Sequence, residues 1–276
     1  MKGRRIVGLV LCLGLAMGLA GCWVKTSQLE DKQRESFVYG PEADIVSLTA
    51  AETAELAEGE TVEVAVTPEL REAFFELGRL ARWDFMHKWM FAEGEEPASE
   101  DMEDYIYFIG AQSLVWADYW NIDHDKPSTK LSISYVDEFM RLHFGRTVPH
   151  WTEGQKEMDF DGRNYIPTGE WANQPLYRLL GLKISREELD GESRLVYEAE
   201  LRLYRFWPEE GQEDIPDDVI GEGRELLCAD EEPQLTAGYY VTKNDNEVIQ
   251  KVSFYLNEVQ EGEYIIRYLN KQDFAE

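Results

Sequence analysis

Two apolar periods divide this chain. From Thr67 to about residue 146, apolar side chains recur at three- and four-residue intervals; beyond it they alternate with polar ones. Thr67-Pro68-Glu69 reads as a helix start: a hydroxyl cap, a proline in the first turn, and an acid at the positive end of the dipole. Leu70, Phe74, Leu77, Ala81 and Phe85 continue it to about Met90. Gly94 to Pro97 breaks the pattern. Ser99 then caps a run through Met102, Ile106, Ile109 and Trp116, helical to about Tyr119. Ser134-Tyr135-Val136-Asp137 resembles a capping box with Asp in place of Glu, and its helix ends at Phe144-Gly145, where glycine fits a left-handed cap.

In the second half, Phe160 and Tyr165-Ile166 flank Asp161-Gly162, a hairpin signal. Leu176 to Ile184 reads as a strand that Asp190-Gly191 turns back. Between Arg194 and Trp207, Leu195, Tyr197, Ala199, Leu201 and Leu203 alternate with mostly polar neighbours. Gly238 to Thr242, Val248 to Val259 and Tyr264 to Leu269 complete the strands. Helices followed by antiparallel strands predict an α+β domain, with N-terminal helices packed on one curved C-terminal sheet. Between the strands, residues 208–234 carry eleven acidic residues, one basic residue and three prolines. Connections this long in a compact domain are commonly functional or disordered. Ile215, Val219, Ile220, Leu226 and Leu227 predict that part of this one packs as a short helix.

The N-terminus has neither period. Lys2, Arg4 and Arg5 precede an apolar run from Ile6 to Ala20, shorter than the roughly twenty residues a spanning helix needs. A basic start and a short apolar core make a secretory signal. Leu19-Ala20-Gly21-Cys22 resembles the lipobox of bacterial lipoproteins, which implies cleavage before Cys22 and acylation of its sulfur. The expected organisation is a signal peptide over 1–21, an anchored acidic tether over 22–66 and one domain over 67–276. Its helical half is 67–146 and its sheet half 147–276. Within the tether, Val62 to Val66 alternates as a short strand would at the domain's edge.

Charge narrows the partners. The whole chain has 27 basic and 55 acidic residues, and the signal holds three of the basic ones, leaving 24 against 55, a balance of −31. Nucleic acid and anionic lipid surfaces are both recognised chiefly through Lys and Arg, so nucleic acid is not an expected partner. Of three cysteines, Cys12 leaves with the signal and Cys22 is the anchor. Cys228 is left without a partner in its own chain, so it is a packed thiol or a link between two chains.

Tyr105-Ile106-Tyr107-Phe108, Ser134 to Asp137 leading to Phe144-Gly145, and Phe160-Asp161-Gly162-Arg163-Asn164-Tyr165 follow one another in a recognisable order. Together they resemble a loose group of lipoproteins of Gram-positive-type bacteria with a helical half and a Tyr-rich antiparallel sheet. The resemblance covers about half the chain and implies fold and location only; no catalytic residue comes with it.

No motif for acyl transfer, zinc proteolysis or phosphate binding is present. Asp123-His124-Asp125 is the most ligand-like cluster for a metal, with a polar loop as the competing reading. Asp159, Asp161 and Asn164 echo part of an oxygen-ligand calcium loop, with a hairpin turn as the alternative. No cofactor is expected. Trp151 and Trp171 lie among polar and turn residues and are the candidate binding aromatics, suited to a sugar face or a peptide. His143, one turn from a helix end, is placed to complement the dipole as imidazolium. The expected protein is an extracytoplasmic module, anchored through lipid on Cys22, that binds an envelope protein, peptide or glycan without catalysis. A carboxylate- or metal-dependent envelope hydrolase is the alternative.

Overall fold

A computed structural model describes residues 37–81, 83, 131–145, 158–167, 176–206, 219–233, 239–241 and 249–269. By internal contacts the chain divides into Met1–Val38, of which only Phe37 and Val38 are described, and Tyr39–Glu276, which holds every described helix and strand. The second unit is α+β. In chain order it contains α1 (Pro41–Leu48), α2 (Ala50–Thr53), β1 (Thr61–Val64), α3 (Pro68–Leu80), β2 (Leu131–Ser132), α4 (Ile133–Phe144), β3 (Met158–Phe160) and β4 (Asn164–Pro167). The remainder is β5 (Leu176–Leu189), β6 (Glu192–Phe206), α5 (Val219–Cys228), β7 (Tyr239–Val241), β8 (Ile249–Gln260) and β9 (Glu263–Tyr268).

The main sheet is antiparallel and six-stranded, ordered β1-β5-β6-β8-β9 with β7 added on β6; a second sheet has the order β2-β4-β3. Among the described residues two sheets therefore stand where one was expected. The long β5–β6 hairpin turns at Asp190 and Gly191, both at positive φ (55° and 79°), the two-residue geometry that matches strand twist. A register shift between Leu179 and Gly181 lets both ends of β5 serve the same core. Tyr177 and Leu179 before it, and Leu182 and Ile184 after it, sit opposite Leu203, Leu201, Ala199 and Tyr197 of β6.

Helix α3 covers that face. Its start matches the sequence signal: Leu70 N–H donates to Thr67 Oγ1 at 3.2 Å. Its inner stripe carries Leu70, Phe74 and Leu77, all sealed from solvent. Phe74, Trp83, Tyr197 and Phe254 form an aromatic layer with ring centroids 5.4–6.3 Å apart. Gly78 allows the helix to approach closely, since a Cβ there would press on the Tyr177 ring. Burying one such large apolar side chain contributes roughly 1.5–3 kcal/mol.

The first correction concerns the tether. Residues 41–64, placed in it from sequence, form α1, α2 and β1 of the folded unit. β1 pairs with β5 from Thr61↔Ser185 to Val64↔Leu182, the edge position its alternation predicts. Ile45 of α1 is fully buried, and Arg186 on β5 donates to Leu56 O at 2.6 Å. A short helix with one apolar anchor has too little periodicity to stand out from an acidic sequence.

A second correction concerns α4. Its cap is Ser132, whose Oγ accepts from Tyr135 N–H at 3.2 Å, two residues before the expected Ser134. Its end is as expected: Gly145 takes φ 75° and its N–H donates to Arg141 O. The acidic connection also resolves in part, because its residues 219–228 are α5, with Leu227 packed against Phe75, Leu176 and Tyr204. The predicted helix over Ser99 to Tyr119 lies outside the described residues.

Candidate functional site

The face of β5, β6, β8 and β9 turned away from α3 carries a groove of about 930 Å³. The cross-strand register builds it: Lys183 sits opposite Glu198, Ser185 opposite Val196, Glu198 opposite Ser253, and Tyr255 opposite Arg267. Phe144, Val196 and Leu269 add apolar surface, and Glu187 and Asp190 add acids. Lys183 and Glu198 reach solvent, while Val196 and Tyr255 are buried in the floor. The Arg194 guanidinium lies 4.7 Å from the Tyr255 ring centroid, a cation–π contact that stiffens one wall. Both charge signs, hydroxyls and apolar carbon thus meet in one depression. This chemistry suits a ligand with mixed polar and apolar faces.

One wall is set by Arg267. Its guanidinium leaves the strand and donates to Arg141 O (2.7 Å) and Leu142 O (3.2 Å), two carbonyls at the C-terminus of α4. A cation satisfies those carbonyls and complements the negative end of the dipole. α5 ends the same way. Arg178, 3% exposed, donates to Leu227 O (2.7 Å), Ala229 O (3.0 Å) and Glu231 O (3.1 Å). Arg71 adds a bond to Ala229 O and an ion pair to Asp230, and Arg202 pairs with Glu232. The acidic connection is thus clamped by three arginines where it leaves α5.

Beneath α1 lies a buried polar cluster. His143 is fully buried, and its Nδ1–H donates to Ile266 O at 2.8 Å. Burial, seconded against the backbone bond by the nearby Arg267 charge, pushes its pKa down to about 3. It is therefore neutral, and the expected imidazolium role is replaced by that of a donor bridging α4 and β9. Its ring packs on Phe139, Tyr39 and Tyr268, whose hydroxyl accepts from Trp83 Nε1–H at 3.0 Å. Glu42 of α1 is also sealed from solvent, and burial lifts its pKa to about 7 against the opposing pull of backbone N–H groups at the helix start.

Most residues singled out from sequence lie outside the described ones: Leu19, Ala20, Gly21, Cys22, Asp123, His124, Asp125, Trp151 and Trp171. The partial calcium echo is described. Asp161 Oδ1 accepts from Arg163 N–H, Asn164 N–H and the Asn164 amide at 2.9–3.1 Å, while Asp159 is exposed on β3 opposite Ile166. Those are the bonds of a side-chain-braced hairpin turn. Among the described residues no group of three or more His, Cys, Asp or Glu side chains is placed to hold a metal ion. Cys228 is half-buried and its thiol is pushed up to about 11 by desolvation, which keeps it in the unreactive thiol form. Among the described residues no helix is long and apolar enough to cross a membrane.

The groove residues were missed from sequence, although a signal existed. On β6, Arg194, Glu198 and Arg202 punctuate the face opposite the apolar series, but which of them share a depression depends on the register of β5, β8 and β9. Compared with known proteins, the chain matches no protein family, no curated protein and no solved structure.

Proposed function

We propose that the protein is an extracytoplasmic lipoprotein, anchored through Cys22, whose domain is a non-catalytic binding module for an envelope protein, peptide or glycan. The observation that carries the binding reading is the groove, where Lys183, Glu198, Ser253 and Tyr255 line one face of a rigid sheet. A site on paired strands holds its side chains in fixed geometry, which lowers the ordering cost of binding. The anchoring half rests on Lys2, Arg4, Arg5, the short apolar run and Leu19-Ala20-Gly21-Cys22. Acylation adds about 0.8 kcal/mol of membrane affinity per buried methylene, so two or more chains give stable retention.

The two halves are tested separately. Cells fed labelled fatty acid should place label on the wild-type chain and none on Cys22→Ala; an unlabelled wild-type chain defeats the anchor. For the groove, the exposed pair Lys183 and Glu198 is reversed together (Lys183→Glu, Glu198→Lys), which keeps net charge and the attraction between those two positions but sets residue 183 against Glu63 on β1, so circular dichroism first checks that the fold is kept. Envelope partners cross-linked by the wild type should be recovered at least about tenfold less by the reversed protein, a loss of about 1.4 kcal/mol. Equal recovery defeats the groove reading.

A further inference from the structure

The cations lining the groove, and the one on its wall, are already engaged inside the protein; its acids are not. Lys183 faces Glu198 across the β5–β6 pair, yet its Nζ pairs with Glu63 on β1, 3.8 Å away. Arg267 is taken up by the carbonyls of Arg141 and Leu142. Arg194 lies on the Tyr255 ring, pairs with Glu192 and donates to Asn257 Oδ1 at 3.2 Å. Among the described residues, by contrast, the carboxylates of Glu198 and Asp190 form no ion pair and accept no hydrogen bond. Asp190 acts on Arg267 only at longer range, and Glu187 accepts only from a neutral hydroxyl, Ser185 Oγ, at 2.6 Å.

The register also sets how far apart these acids stand. Glu187 sits opposite Arg194, and Glu198 lies four residues farther along β6, about 13 Å at the rise of a strand. Midway between them on the same face is Val196, in the floor of the groove and opposite Ser185. An extended peptide repeats that spacing, because its side chains at i, i+2 and i+4 point to one side over the same length. A sugar ring would need an open aromatic face. Among the described lining residues Tyr255 and Tyr268 are buried, and Phe144 stacks on Tyr268 with centroids 5.5 Å apart.

We propose that the groove takes an extended basic peptide segment of an envelope protein, with Lys or Arg at i and i+4 meeting Glu187 and Glu198 and an apolar side chain at i+2 resting over Val196. This rests on the groove being the binding site and narrows what occupies it. Asp190 supplies a third acid beyond Glu187 for a basic residue farther along the segment. The partner thus brings the cations that the groove's own basic groups leave unsupplied, and the acids repel an anionic competitor.

The test uses the full-length chain in neutral detergent at about 0.15 M salt, where exposed charges more than about 8 Å apart are largely screened. The probe is a fluorescein-labelled Gly-Lys-Ser-Val-Ser-Lys-Gly peptide, read by anisotropy. Because the whole chain is acidic, two variants with the same change in charge are compared. One carries Glu187→Gln, Asp190→Asn and Glu198→Gln in the groove, where Asn suits the positive φ of the turn; the other carries Glu52→Gln, Glu55→Gln and Glu225→Gln on exposed surface elsewhere. Each partly exposed ion pair is worth roughly two- to fivefold in affinity, so the groove variant should bind about tenfold or more weakly and the control within about twofold of the wild type. The basic peptide is overturned if both variants lose affinity equally or neither does. It is also overturned if the same peptide with glutamates for lysines, or an N-acetylglucosamine tetramer, binds as tightly. Should that happen while Lys183→Glu with Glu198→Lys still lowers recovery of envelope partners, the basic peptide has failed and the groove stands; equal recovery removes the groove itself.

Discussion

Gly145 and Arg267 offer a perturbation whose size follows from two separable costs. Gly145 ends α4 at φ 75°, where an L side chain costs about 1–2 kcal/mol by steric conflict with the following carbonyl. A methyl group there would also overlap the Arg267 guanidinium, which occupies the space a Cβ would need. The guanidinium must then leave Arg141 O and Leu142 O. Those bonds are partly solvent-exposed, so their loss is placed at the low end for charged hydrogen bonds, about 1.5 kcal/mol. Gly145→Ala should therefore destabilise by about 3 kcal/mol in urea unfolding followed by circular dichroism. Arg267→Met keeps the strand apolar stem and removes the capping group. In that background Gly145→Ala should cost only the backbone part, about 1–2 kcal/mol, because the bonds are already gone. The measured coupling should thus be about 1.5 kcal/mol. If Gly145→Ala costs the same in both backgrounds, within about 0.5 kcal/mol, the guanidinium is not seated under the glycine and the account of this helix end is wrong.

Arg178→Met should be more damaging than an exposed arginine change, because it leaves the carbonyl of the buried Leu227 without its donor, while those of the exposed Ala229 and Glu231 can turn to water. Leaving that buried acceptor unpaired costs about 1–3 kcal/mol, read as a lowered urea midpoint; a loss below about 0.5 kcal/mol would mean water replaces the guanidinium freely. The two buried titrating groups pull stability in opposite directions. His143, held down to about 3 from 6.5, makes stability rise with pH between those values; Glu42, held up at about 7 from 4.5, makes it fall between 4.5 and 7. In the wild type their slopes cancel between pH 4.5 and 6.5. Glu42→Gln removes the falling slope, so its unfolding free energy should keep climbing to pH 6.5, by up to about 5 kcal/mol in all from pH 3, where the wild type levels off. Parallel curves for the two proteins would refute the assignment.

The local signals in this chain are strong wherever the physics is local. Thr67 caps α3, Gly145 ends α4, Asp161-Gly162 and Asp190-Gly191 close hairpins, and the period-two run of β6 fixes which residues face the core. Each rests on backbone geometry or on neighbours a few residues away, and so is written in adjacent letters. Ser132 displaced Ser134 as cap because both hydroxyls suit the role, and the pairing of Leu131 and Ser132 with β4 decides where the extended chain stops.

What only the tertiary structure decided is every interaction whose partner is distant and carries no sequence mark. Arg178 looks like a charge interrupting an apolar strand until backbone carbonyls about fifty residues later close around it. The groove exists because four strands align Lys183, Glu198, Ser253 and Arg267 side by side, a product of register that a one-residue slip would undo. Glu42 reads as one acid among 55, and only the packing of α1 against α3 and β9 separates it from the rest by withholding both water and a counter-charge. Sequence sets which local shapes are cheap; burial, which sums over distant segments, decides which charged groups are forced to respond.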